Sequence, residues 1–259
     1  GGESKIMTYN AITAVTTYNR LKYLKEFVSS WNTTKSNGIS WTLVVADDGS
    51  DDKTLDWLGS LSKEKKDYKL VVIKNNRMGV HYQTNDIFDF SKSTSFDYGF
   101  KCDDDILFLK KGWDVNYISA INKTKFDHLV YYNREWKKEQ FVKNKGLLTS
   151  YCSAAKCLGC FWTYTPRLLD EIGYFDYKSF GFRGNGHIDF TIRACRSGFN
   201  VRDSLYDIKN SNLFIGMQPR KGYIKTISSS EMKKYSNKEE QKKRSDIINT
   251  KGRVFIPRQ

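Results

Sequence analysis

Long apolar runs are absent from the 259-residue chain. No stretch of eighteen or more apolar residues occurs, so no membrane-spanning helix is expected. The N-terminus, GGESKIMTYN, lacks the charged, apolar and small-residue succession of a secretory leader. Cysteines are few and odd in number, five, and mostly sit inside apolar stretches, which fits reduced, buried thiols and a cytoplasmic protein. Cys157 and Cys160 form a C-x-x-C that could reach toward zinc with Cys152 or His187. No second C-x-x-C or histidine pair completes four ligands. Internal repeats are also missing. Acidic residues are outnumbered, 29 against 43 Lys and Arg, for a net charge of +14. That balance favours polyanionic partners such as nucleotide phosphates, an acidic polymer, an anionic membrane surface or nucleic acid, and it equally suits a solvated lysine-rich surface.

What is present is organised around residues 96–108, FDYGFKCDDDILF. An aromatic, apolar run that reads as a buried strand stops at Asp103, Asp104 and Asp105, then turns apolar again. Adjacent carboxylates repel one another, and a hard divalent ion, Mg²⁺ or Mn²⁺, would relieve the repulsion while leaving room for substrate phosphates. Strand alternation puts Asp103 and Asp105 on one side and Asp104 on the other, so two of the three could share an ion. The plainer reading is an acidic turn that solvates a strand end.

Three further strand–loop–helix units precede it. Strands are expected at 11–17 (AITAVTT), 40–46 (SWTLVVA) and 68–74. Helical patterns follow each: Leu21, Leu24, Phe27, Val28 and Trp31; Leu55, Leu58 and Leu61, with the preceding aspartates as N-caps; and Tyr82, Ile87, Phe88 and Phe90. Alternating strands and helices predict right-handed crossovers and a doubly wound, mostly parallel sheet. Ligands bind beyond the C-terminal strand ends of such sheets. There the loops TTYNR, DDGSDD, NNRMGV and CDDDI converge on one rim. Downstream, a helix is expected at 113–121, a strand at 127–132 and a basic loop at 133–145. A strand-like run at 158–165 and a short helix from Pro166 follow, then a glycine-rich stretch leading into a helix at His187-Ile188-Asp189. The charge run 233–244 reads as a solvated helix or disordered tail.

The series TTYNR, VVADDGSDD, NNRMGV, KCDDDI and GYFD…GNGHIDFTIRACRSG, in this order, resembles the nucleotide-sugar-dependent glycosyltransferases of family 2 over about residues 12–200. The resemblance implies an α/β fold of GT-A type, with a Rossmann-like, mostly parallel central sheet and flanking helices. It implies a catalytic domain at 1–205, with 206–259 as a C-terminal basic segment that packs on it or extends from it. The implied reaction moves one sugar from a nucleoside-diphosphate donor, UDP-sugar foremost, to an acceptor hydroxyl. By similarity Thr16 and Tyr18 line the nucleoside pocket, Asp48 accepts from a base N–H, and Arg20 and Arg77 meet the phosphates. Asp103, Asp104 and Asp105 supply the metal ligands, with Asp103 also touching the donor, and Asp189 is the general base of an inverting transfer. The sequence departs from the pattern at His187-Ile188, where a second carboxylate is common, and offers no late histidine for the metal shell. The acceptor is a glycan or another hydroxyl compound. Arg134, Lys137, Lys138, Lys143 and Lys145 are the candidates for holding an anionic one, modified DNA included. A nucleotidyltransferase would need a glycine-bearing loop after the first strand, which TTYNR lacks. A non-catalytic sugar-binding module would not need the aspartates.

Overall fold

The computed structural model describes residues 9–135, 140–219, 226–228, 230 and 237–259. Lys137, Lys138 and residues 233–236, named above, lie outside them.

In chain order the first half runs β1 (Tyr9–Thr17), α1 (Leu21–Thr34), β2 (Ile39–Asp47), α2 (Thr54–Lys63), β3 (Tyr68–Lys74), α3 (Val80–Lys92) and β4 (Tyr98–Asp103). The second half comprises β5 (Ile106–Phe108), α4 (Trp113–Thr124), β6 (Lys143–Lys145), β7 (Leu148–Cys152), β8 (Phe161–Tyr164), α5 (Pro166–Ile172), α6 (Tyr177–Phe180), α7 (Gly186–Arg196), β9 (Leu205–Ile208), β10 (Ile215–Met217) and α8 (Lys238–Asn249). The central sheet has the order β3-β2-β1-β4-β8, parallel except for β8, which runs antiparallel to β4. Its strands are apolar on both faces because both are covered. On β2, Trp41, Leu43 and Val45 enter one core with Phe27, Trp31 and Trp113, while Val44 and Ala46 enter the other with Phe88, Trp162 and Phe190. Edge-on and stacked rings fix both layers, as in Phe100–Trp113 at 4.9 Å and Phe175–Phe190 at 4.9 Å between centroids. The register sets Thr16 of β1 directly beside Asp103 of β4.

The second half departs from expectation in two places. Residues 127–132 are buried and extended but form no strand: the amides of His128, Val130 and Tyr131 go to three separate carbonyls, on Phe199, Tyr206 and Phe161. Only the bridge Val130–Trp162 links this segment to the central sheet in ladder fashion. Within the expected basic loop, Lys143–Lys145 is β6, the edge of a separate three-stranded sheet β6-β7-β9. Arginines fasten the last residues to the body. Arg258 pairs with Asp86 and with Asp89 on α3, and Arg253 with Asp176 and Asp189.

Candidate active site

The C-terminal ends of β1, β2 and β4 open into a cleft of about 500 Å³. Its walls include Thr16, Tyr18, Arg20, Asp48, Arg77, Asp103, Asp104 and Asp105, so eight of the residues singled out from the sequence meet there.

The loop after β2 is shaped by its own aspartates. Asp47 accepts the amides of Gly49 and Ser50 at 3.0 and 2.9 Å. Asp48 accepts those of Met78 and Gly79 at 2.7 and 2.9 Å, which ties the β2 loop to the turn that starts α3. Burial raises the Asp48 carboxyl above its ordinary range, opposed by those two amides and by Arg77. Lys53 holds the N-cap position of α2, but Asp52 still serves that helix as expected, its Oδ1 accepting from Thr54 N at 3.2 Å, while its Oδ2 faces α1. The latter accepts from Leu21 N at 2.9 Å and so also serves α1, whose N-cap residue Arg20 makes no side-chain cap. Gly79 has φ +86°, and a Cβ there would lie 2.3 Å from the carbonyl oxygen of Phe182.

The three aspartates have different surroundings. Asp104 is buried, its Oδ2 accepting from Thr17 Oγ1 at 2.7 Å and its Oδ1 paired with Arg20 at 2.8 Å. Burial pushes its carboxyl up to about 7, with Asp105 adding to the rise and Arg20 opposing it. Asp105 pairs with Arg20 at 3.0 Å through Oδ2, while its buried Oδ1 has no partner among the described residues. Its carboxyl is raised by burial and then by the neighbouring charge of Asp103. Asp103 is the open one, its side chain 39% exposed, with Lys101 Nζ at 3.4 Å. Arg20 is thus committed to carboxylates and lies over the Tyr23 ring, 4.3 Å from its centroid. Arg77 is stacked on Tyr18 at 3.8 Å and on Phe182 at 4.6 Å, and donates to Thr226 O at 2.7 Å.

Asp189 is not brought to the cleft wall. It lies in the first turn of α7, buried, with Oδ2 accepting from Arg193 at 2.9 Å and Oδ1 held by Arg253. Its neighbours His187 and Ile188 do line the cleft. Arg134, Lys143 and Lys145 are not among the lining residues. They lie over the rings of Tyr151, Phe141 and Phe126. Several cleft residues escaped the sequence reading, Gln83 and Lys101 among them. Gln83 donates to the carbonyls of Thr17 and Ala46 at 3.1 and 2.8 Å, closing the ends of β1 and β2. Lys101 is buried beneath Asp103, and its only trace in the sequence is a charge inside an otherwise apolar strand. All five cysteines are free thiols. Among the described residues no three His, Cys, Asp or Glu side chains are grouped to hold a metal ion, which leaves the C-x-x-C without a zinc site there. No helix among them is long and apolar enough to cross a membrane.

Residues 13–196 match the family model of glycosyl transferase family 2. The chain belongs to that family. Within it, the chain is 26% identical over 214 residues to a glycosyltransferase of Acanthamoeba polyphaga mimivirus, covering 78% of each protein. The GT-A fold is shared with the mannosyltransferase PcManGT of Pyrobaculum calidifontis, solved with GDP-Man and Mn²⁺ (TM-score 0.61, 13% identity, 83% of this chain and 59% of that one). It is shared as well with S. aureus TarS 1-349 in complex with UDP-GlcNAc (TM-score 0.58, 16% identity, 93% of this chain and 67% of that one). The chain thus spans about three-fifths of the mannosyltransferase and two-thirds of the TarS fragment.

Proposed function

We propose that this family 2 member transfers a single sugar from a UDP-sugar to an acceptor hydroxyl with the help of a divalent ion, Mn²⁺ or Mg²⁺. The observation that carries the reading is the pair Asp103 and Asp105. One is open to the cleft, the other keeps a buried oxygen without a partner among the described residues, and the charge of Asp103 raises the cost of charging Asp105. Two carboxylates and no protein cage suit an ion that takes its remaining ligands from water and substrate phosphates. When bound, the ion acts as a Lewis acid on the departing diphosphate. Asp104 is the supporting member, held by Thr17 and Arg20.

Thr16 and Tyr18, the latter with Arg77 packed on its ring, form the nucleoside side of the cleft. Asp48 holds the 78–79 turn with one lone pair on each oxygen and keeps the others for a base N–H, which favours uracil. Arg77, its side chain 30% exposed, is the better placed arginine for the phosphates, since Arg20 is buried on Asp104 and Asp105. For Asp189 the geometry favours an anchor over a general base in contact with acceptor. Two guanidinium groups occupy its oxygens, and it steadies the start of α7 beneath His187 and Ile188. The UDP-GlcNAc complex of TarS and the Mn²⁺ complex of the mannosyltransferase support donor and ion by likeness of fold.

The test is nucleotide release from a panel of UDP-sugars and GDP-mannose, with Mn²⁺ or with EDTA. Release of UDP from at least one UDP-sugar, lost in EDTA, is expected. Release that EDTA leaves unchanged, or that occurs only from GDP-mannose, contradicts the reading.

A further inference from the structure

Lys101 is among the largest fully buried side chains of the protein, at 2% exposure, and it lines the cleft. Residues two apart on a strand share a face, so Lys101 and Asp103 of β4 point the same way, and Thr16 sits across from Asp103 on β1. The ammonium donates to Cys102 O at 2.9 Å and Thr16 Oγ1 at 3.1 Å, and lies 3.4 Å from Asp103 Oδ1. Removing a charge from water is costly unless it is paired. A lysine held this deeply beside Asp103 is therefore part of the charge balance of the aspartate cluster. Three carboxylates, Asp103, Asp104 and Asp105, face Arg20 and Lys101, so this cluster of five side chains carries at most one net negative charge.

Resting on the metal-dependent reading above, we infer that Lys101 is a positioning residue that acts as a resident counter-cation, keeping a divalent ion weakly bound until the donor diphosphate arrives with it. A divalent ion alone turns this cluster net positive next to a buried ammonium. The negative diphosphate removes that penalty, so ion and nucleotide enter as cooperating ligands. The lysine also holds Thr16 and Asp103 in register for the nucleotide. Coupling of this kind is reciprocal between the two ligands.

The test is Mn²⁺ binding followed by electron paramagnetic resonance, with and without saturating UDP, on the wild-type chain, Lys101→Met, Lys101→Arg and Asp103→Ala. Wild type is expected to bind Mn²⁺ weakly alone and much more tightly with UDP. Lys101→Met should bind Mn²⁺ alone about tenfold or more tightly than wild type, because a buried positive charge near the ion has gone, and its UDP-induced gain should shrink accordingly. Lys101→Arg should keep the wild-type coupling. If Lys101→Met fails to fold, Lys101→Gln takes its place, being neutral yet able to bond Thr16 and the Cys102 carbonyl. Unchanged or weaker Mn²⁺ binding in the neutral variants, with the UDP gain intact, overturns this inference alone. Mn²⁺ binding that is absent with UDP, or indifferent to Asp103→Ala, overturns the metal reading and this inference with it.

Discussion

Arg20 and Lys101 divide three neighbouring aspartates into different jobs, and single substitutions should separate them. Asp104→Ala leaves a buried guanidinium short of a partner, a loss of about 3–5 kcal/mol, which at about 2–4 °C per kcal/mol for a chain of this size lowers Tm by roughly 10 °C. Asp103→Ala removes a 39% exposed side chain and should leave Tm within about 2 °C while weakening UDP binding in Mn²⁺. Thermal unfolding and UDP titration of both variants decide this. Equal Tm losses would show that the two carboxylates are not distinguished as described. Away from the cleft, burial raises Asp207 to about 6, and its Oδ1 accepts from Tyr117 Oη at 2.7 Å. An acid whose folded value lies above its unfolded value of 3.8 binds protons more tightly when folded. Its contribution is therefore most favourable below pH 4 and is lost as pH rises to about 6, a difference of order 2–3 kcal/mol. Asp207→Asn should gain stability over wild type at pH 7 and gain nothing at pH 4. A parallel pair of stability–pH curves would contradict this.

Among the elements, the turn between β3 and α3 is the most constrained. Asp48 holds its amides, and Gly79 lies against the Phe182 carbonyl at a positive φ. Gly79→Ala must either shift the 182–184 segment or unwind the start of α3. A Tm loss of at least about 3 °C is expected from the backbone conformation alone, together with weaker UDP binding. Unaltered UDP affinity by calorimetry would mean that this turn does not shape the nucleotide side. The first four strands were legible because each is apolar on both faces, as Trp41 to Ala46 of β2 are, and ends in a polar loop. Residues 127–132 look the same by composition, but their amides are divided among three segments, which no local pattern encodes. The convergence of Thr16, Tyr18, Asp48, Arg77 and the aspartates was legible from topology. The commitment of Arg20 was not, because a guanidinium recognises carboxylate and phosphate by the same fork. Gln83 belongs to no motif and Lys101 only opens KCDDDI without a role of its own, and their partners are set by the register of β1, β2 and β4.

For the whole molecule, long-range arginine pairs tie the end of the chain to the cleft's support. Arg253 reaches Asp189 and Asp176, Arg193 donates to the carbonyl of Val254 at 3.1 Å, and Ile256 bridges to Gly173. Charged residues without periodicity carry no local signal of such anchoring, and for that reason the sequence left open whether 206–259 packs on the catalytic domain or extends from it. Arg253→Ala should destabilise the fold by about 3 kcal/mol or more, since it leaves buried Asp189 with Arg193 alone. A Tm equal to wild type would show that the pairing adds nothing to the fold. The central claim, that Asp103 and Asp105 join a divalent ion to a uridine nucleotide in this cleft, is tested most directly by isothermal titration of UDP into the wild-type chain and Asp103→Ala, each in Mn²⁺ and in EDTA. The account predicts that wild type binds UDP at least about tenfold more tightly in Mn²⁺, and that Asp103→Ala abolishes the difference. Equal affinity of the wild-type chain in Mn²⁺ and EDTA, or a Mn²⁺ effect that survives Asp103→Ala, would contradict it.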